Sequence, residues 1–230
     1  MDEDECSHPA PPAASMRPGF IVTAGDGADN VAAVVREGSD VEDTGSTGSG
    51  RRRFAVTWDY RGRFARHLSD HVVAGLLAGA NWDVEFWPFS VEQTRRSDGQ
   101  PSLWDEPGSS VSFLAMQVGV VVRDRFPERF LAVHAGLFAA RHDEGLDLRD
   151  EAVVRQILAR NDVDDDAVFE EVAGGEPREA YRREHERSIA QHAVFGVPTL
   201  ITGERAAFVR LMHGPTGAPG LAQRTVERLL

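Results

Sequence analysis

The sequence predicts an α/β fold in which an all-helical block is inserted between the two halves of one sheet. Three observations carry this. Phe54 to Trp58 alternates apolar and polar residues with the period of a half-buried strand. Helix-spaced apolar residues follow at once and lead into a second strand-like run. After roughly a hundred residues of helical pattern, two short strand runs and a closing helix complete the chain.

Each element has its own signal. Phe64 to Ala80 places Leu68, Val72, Val73, Leu76 and Leu77 on one helical face and stops near Gly79, and Trp82 to Phe89 resumes a strand rich in large apolar side chains. Val111 to Phe126 is spaced for a helix, although the valines at 120 to 122 favour strand locally, and Pro127 suits the first turn of the next helix, to Arg141. Asp147 is placed to cap a helix running to Arg160, and Asp164 another through Val172. Pro177 to Val194 is a long charged helix with Tyr181, His185 and Ile189 along it. Val197 to Thr202 and Arg205 to Met212 read as strands joined by a tight turn at Gly203 and Glu204, before a last helix from Ala218 to Leu230.

Residues 1–53 differ in composition. They open on Asp2, Glu3, Asp4 and Glu5, pass through a Pro/Ala run from Pro9 to Ala14, and end in a Gly/Ser/Thr stretch closing on three arginines. A disordered extension is expected, within which Phe20 to Thr23 suggests a strand and Asn30 to Arg36 a short helix. The expected organisation is thus an extension over 1–53, a sheet domain made of 54–90 and 195–230, and a helical insertion over 105–194.

Composition excludes several functions. All 25 basic residues are arginine and face 37 acidic ones, a net charge of -12 that repels phosphate backbones and anionic lipid, so neither nucleic acid nor membrane is an expected partner. Cys6 is the only cysteine, which rules out an intramolecular disulfide, a multi-thiolate zinc site and a redox-cycling thiol pair. Its acidic neighbours disfavour a thiolate. The acidic start and the lack of a long apolar stretch lead to a cytoplasmic expectation.

Two motifs carry a resemblance. The first is Asp59, Tyr60, Arg61, Gly62, Arg63, Phe64, Ala65 and Arg66, where the first strand gives way to the first helix; the second is Phe195, Gly196, Val197, Pro198, Thr199 and Leu200. In this order, separated by a helical block, they resemble the DsbA-like oxidoreductases of the actinobacterial type, a thioredoxin-like fold with a helical insertion. The resemblance spans about Phe54 to Leu230. It implies that Gly62 stands where the family's nucleophilic cysteine opens the helix, that Arg63 replaces the following proline, and that Ala65 occupies the resolving position. It also implies a cis Val197–Pro198 bond, with the backbone of Val197 free to pair with an extended thiol or peptide ligand.

With both redox positions empty, the family role of thiol-disulfide exchange is not expected here. What remains is binding, through Tyr60, Arg61, Gly62, Arg63 and Phe64 on one side and Val197, Pro198 and Thr199 on the other. Arg61, Arg63 and Arg66 at a helix N-terminus suit a carboxylate. Glutathione or mycothiol as a borrowed thiol is the alternative, with Tyr60 and Arg63 as its polar groups, although packing at the strand end is the first expectation for Tyr60; a non-enzymatic interaction module using the acidic extension is another. His67 and His71, four apart, have the spacing of two zinc ligands, but a solvated polar face is the expectation. His134, His142, His185 and His192 are expected on helix surfaces or in packing; Trp58, Trp82, Trp87 and Trp104 are expected in the core or at its rim, with a loop facing the cleft as the alternative for Trp104.

Overall fold

The alternation of Phe54 to Trp58 becomes the strand on which the rest of the fold is organised. The computed structural model describes residues 20–24, 31–36, 50–108, 110–217 and 219–230; Cys6, the Pro/Ala run and most of the expected extension lie outside them. In chain order the elements are β1 (Phe20–Ala24), β2 (Val31–Arg36), β3 (Arg52–Trp58), α1 (Arg63–Leu77) and β4 (Trp82–Pro88). A 3₁₀ turn (Gln93–Arg95) then leads to α2 (Phe113–Arg125), α3 (Pro127–His142), α4 (Glu151–Arg160), α5 (Asp165–Gly174) and α6 (Glu176–His192). The chain ends in β5 (Thr199–Thr202), β6 (Arg205–Leu211) and α7 (Pro219–Glu227).

The strands form one six-stranded sheet in the order β1-β2-β6-β5-β3-β4. Only β3 and β4 are parallel, as a crossover through α1 requires; β5 and β6 are an antiparallel hairpin whose turn has Gly203 at φ 58, a left-handed conformation favoured by a residue without Cβ. The short helix expected over 30–36 is instead strand β2, which pairs antiparallel with β6 from Val31 opposite Leu211 to Arg36 opposite Ala206. Asn30 to Arg36 holds a run of Val and Ala, and the free edge of β6 supplies partners for its backbone.

Helices α2 to α6 are the expected insertion between β4 and β5. Three buried aromatic contacts tie it to the sheet: the Trp58 ring at the end of β3 meets Phe130 edge-on at 5.9 Å and His134 at 5.4 Å, and Phe86 of β4 meets Phe130 at 5.0 Å. The valines at 120–122 are all buried, so packing overrides their preference for strand. Helix α4 begins later than expected. Its cap is Asp150, which accepts from Ala152 N, while Asp147 is drawn to the backbone and guanidinium of Arg149. Trp104 is 6% exposed and packs edge-on against Tyr181 at 4.9 Å, the core position expected of the tryptophans and not the alternative of a cleft-facing one. The solvated face expected for His67 and His71 is covered by β6: His67 Nδ1 lies 2.7 Å from the carbonyl of Leu211, and His71 is buried with Nδ1 2.8 Å from the carbonyl of His67.

Candidate functional site

The site is built at the C-terminal end of β3, where the strand turns into α1. Asp59 is 1% exposed and its carboxylate organises the turn: Oδ1 accepts from the backbone N–H of Arg61 at 2.9 Å and Oδ2 from that of Val91 at 3.2 Å. Burial pushes this carboxyl above the usual carboxylate range, opposed by these bonds and by one from Ser112. The carbonyl of Asp59 accepts from Gly62 N–H at 2.9 Å, and Gly62, in extended conformation, is the N-cap of α1. Among the described residues no side chain caps that helix, and its first turn holds no acid, so its first N–H groups and the positive end of the dipole lie at Gly62.

The two motifs meet here. A Cβ placed on Gly62 would lie 3.0 Å from Cγ2 of Val197, 3.3 Å from Cβ of Ala65 and 3.4 Å from the Asp59 carbonyl. The Val197–Pro198 peptide is cis. The loop is fixed through Pro198 and Thr199: Val209 N–H donates to the Pro198 carbonyl at 2.9 Å, Thr199 N–H to Thr57 Oγ1 at 2.8 Å, and the Thr199 hydroxyl to the Gly196 carbonyl at 2.8 Å. Among the described residues nothing bonds the backbone N–H or carbonyl of Val197.

Beside this junction lies a cleft of about 660 Å³. The α1 start contributes Arg61, Gly62 and Phe64, and the segment after β4 contributes Val91, Thr94 and Arg95. The end of α6 and the following loop contribute Ile189, Val194, Phe195, Gly196 and Val197, and β6 contributes Phe208 and Arg210. Ile189 is 41% exposed, so the lining presents apolar surface.

Of the residues read from sequence as binding, the structure gathers Arg61, Gly62, Phe64 and Val197. Pro198 and Thr199 lie behind them as buried supports. Arg63 is exposed over the Phe64 ring at 5.8 Å, outside the lining. Arg66 is turned away into bonds with Asp70, Asp143 and the carbonyl of Phe138. Tyr60 does not reach the cleft, so its reading as a ligand-binding donor is corrected in favour of packing at the strand end: it is fully buried, its hydroxyl 3.0 Å from His134 Nδ1, and Gly119 leaves the room it occupies. His134 Nε2 in turn lies 3.3 Å from Ser69 Oγ, and burial pushes the imidazole down to about 3. Arg95 and Arg210 were missed, since neither belongs to a motif; the long-range pairing that brings β6 and the β4–α2 segment to the α1 start has no local signal.

Residues 108–222, half of the chain, match the model of the DSBA-like thioredoxin domain family. The chain belongs to that family. The match takes in the helical block, the Val197–Pro198 loop and the β5–β6 hairpin, while the Gly62 turn precedes it. No curated protein matches the chain. Among solved structures it is similar to reduced DsbA1 from Neisseria meningitidis, with TM-score 0.53 and 11% identity over 90% of this chain and 93% of that one. It is also similar to a putative protein disulfide isomerase from Nitrosomonas europaea, with TM-score 0.54 and 12% identity over 76% of this chain and 96% of that one. At such identities the likeness is one of fold. Like other members of this DSBA-like family, the chain is a thioredoxin-like α/β fold with a helical insertion; among the described residues no helix is long and apolar enough to cross a membrane, and no group of His, Cys, Asp and Glu is arranged to hold a metal ion.

Proposed function

We propose that the chain is a DSBA-like protein that binds an extended peptide in the Gly62–Val197 cleft and does not itself exchange thiols and disulfides. The observation that carries this is the pairing of Gly62 with Val197: the helix N-terminus and the cis-proline loop are brought together as a thiol enzyme needs them, but the position between them offers no sulfur. Ala65, one turn on, is fully buried and equally inert. The unbonded backbone of Val197 supports pairing with a ligand strand, as in β-strand addition. Nothing in this reading needs an oxidising compartment, in keeping with a cytoplasmic protein.

The test has two parts. The purified protein should leave insulin disulfides unreduced with dithiothreitol present above the uncatalysed rate, and Cys6→Ser should change nothing; turnover above that background would overturn the proposal. Gly62→Cys should then create a reactive thiol after a small shift of the Val197 methyl. Its rate of alkylation against pH should report a pKa below the ordinary value of about 8.5, because the open N–H groups of α1 stabilise the thiolate. A value at or above 8.5 would show that Gly62 does not occupy the nucleophile's place.

Arg61, Arg95 and Arg210 in the lining favour one second reading, a small thiol with carboxylates such as glutathione as the borrowed sulfur, over the uncharged mycothiol. Calorimetric titration with glutathione tests it: micromolar binding weakened by Arg95→Gln supports it, and no heat with either thiol removes it.

A further inference from the structure

We infer that the peptide taken by this cleft is acidic, with carboxylates flanking an apolar or aromatic side chain. The inference rests on the peptide-binding reading above and adds the side-chain chemistry that selects the ligand.

The charge of the lining runs against that of the molecule. The chain carries 37 acids against 25 arginines, yet among the described residues the cleft is lined by Arg61, Arg95 and Arg210 and by no Asp or Glu. Each arginine comes from a different segment, so no single helix face explains the clustering. Arg61 is 3.4 Å from Glu92, which also faces Arg96 at 3.7 Å, so its charge is partly answered already. Arg95 and Arg210 have no carboxylate partner among the described residues. The Arg210 guanidinium is held over two rings, 5.4 Å from the Phe64 centroid and 5.2 Å from that of Phe208. Stacking of this kind fixes the plane of the guanidinium while leaving its N–H edge for a carboxylate.

Between these charges the floor is apolar. Phe195 lies 5.1 Å from Phe208, and Ile189, Val194 and Val197 line the same cleft. A strand paired with Val197 would send alternate side chains into the cleft and away from it, so an apolar side chain would enter over Phe195 and Phe208. Guanidiniums from two separate elements, Arg95 in the 3₁₀ turn after β4 and Arg210 on β6, would receive carboxylates flanking it. The net charge does not forbid this, because at ordinary salt the field of distant acids is screened beyond about 10 Å whereas these arginines act at contact.

Binding of three fluorescein-labelled peptides to the full chain, followed by anisotropy, tests the inference: acetyl-Glu-Val-Phe-Glu-Val amide, the same sequence with Gln for Glu, and the same with Lys for Glu. The Glu peptide should bind at least about tenfold more tightly than the Gln peptide, the Lys peptide more weakly than either, and the preference should shrink as NaCl rises from 50 to 500 mM. Arg210→Gln and Arg95→Gln should each weaken the Glu peptide by about fivefold and the Gln peptide by clearly less, so that the Glu-over-Gln preference narrows, while Arg210→Lys should retain part of the preference. Equal affinity for the Glu and Gln peptides would overturn the acidic preference and leave the peptide-binding reading standing. Failure of all three to bind would overturn both. 3-Phenylpropionate, which has the ring and the carboxylate without the backbone, should fail to displace the Glu peptide at millimolar concentration; full displacement would show that the occupant is a small organic acid and not a peptide.

Discussion

Asp59→Ala is expected to lower the free energy of unfolding by about 2–4 kcal/mol, because it strips the acceptor from two part-buried backbone N–H groups at once, each left unsatisfied at a cost in the lower part of about 1–3 kcal/mol. The two groups belong to Arg61 and Val91, the segments that carry Arg61 and Arg95 to the cleft. Loss of the carboxylate therefore loosens both walls of the site, and peptide binding should fall further than the loss of any one arginine would cause. Asp59→Asn is no remedy, since its amide places a donor against one of the two N–H groups. Urea unfolding followed by tryptophan fluorescence measures the effect; a loss below 1 kcal/mol for Asp59→Ala would show that water replaces the carboxylate and that it does not organise the turn. The pH dependence gives an independent check. Burial raises the Asp59 carboxyl pKa above its unfolded value, so its contribution is greatest below the unfolded pKa and is lost as pH rises through the folded one. The Ala variant should lack that slope.

The sheet domain and the helical block were legible because each core element carries its period: Phe54, Val56 and Trp58 on one strand face, Leu68 and Val72 on one helix face, and a turn at Gly203 between two apolar runs. The two motif ends of the cleft were legible for a different reason, since Gly62 and Val197 lie next to fixed features, a helix start and a proline. What was not legible depended on distance in the chain. The composition of 30–36 is compatible with helix or strand, and only the open edge of β6 decides for strand. Arg66 looked like Arg61 in sequence, but one further turn along α1 carries it to Asp70 and Asp143. Arg210 looked like any alternating strand residue until the sheet placed it over Phe64. Tyr60 directly follows the strand-end acid, and its side chain enters the core because Gly119 on α2 leaves the space and His134 on α3 supplies the partner.

Acidification is expected to have a comparably large effect, through two histidines buried without charge. His134 is fully buried and its imidazole is pushed down to about 3 by burial; His185, 2% exposed, accepts from Ser90 N–H through Nδ1 and is pushed down to about 4 by the same cause. In the unfolded chain both would titrate near 6.5. Below that value the unfolded state binds protons that the folded state refuses, so stability is fully present above pH 6.5 and is lost as pH falls toward the folded values. At about 1.4 kcal/mol per pH unit for each group, lowering the pH from 7 to 5 should remove roughly 4 kcal/mol in all. His142 and His192 are also lowered by burial and act in the same direction, whereas Asp59 opposes them. Glu85, held down by Arg53, begins to matter only at lower pH. Urea unfolding at pH 7 and pH 5 measures the drop, and His134→Gln separates it from general acid sensitivity. Gln keeps an acceptor for the Tyr60 hydroxyl and a donor for Ser69 but cannot take up a proton. The variant will be less stable at pH 7, yet its loss between pH 7 and pH 5 should be smaller than the wild-type loss by roughly 2 kcal/mol. An unchanged drop would mean that His134 is charged in the fold or reached by water, and that the contact joining α3 to the strand end below the cleft is not the dry, neutral one its burial requires.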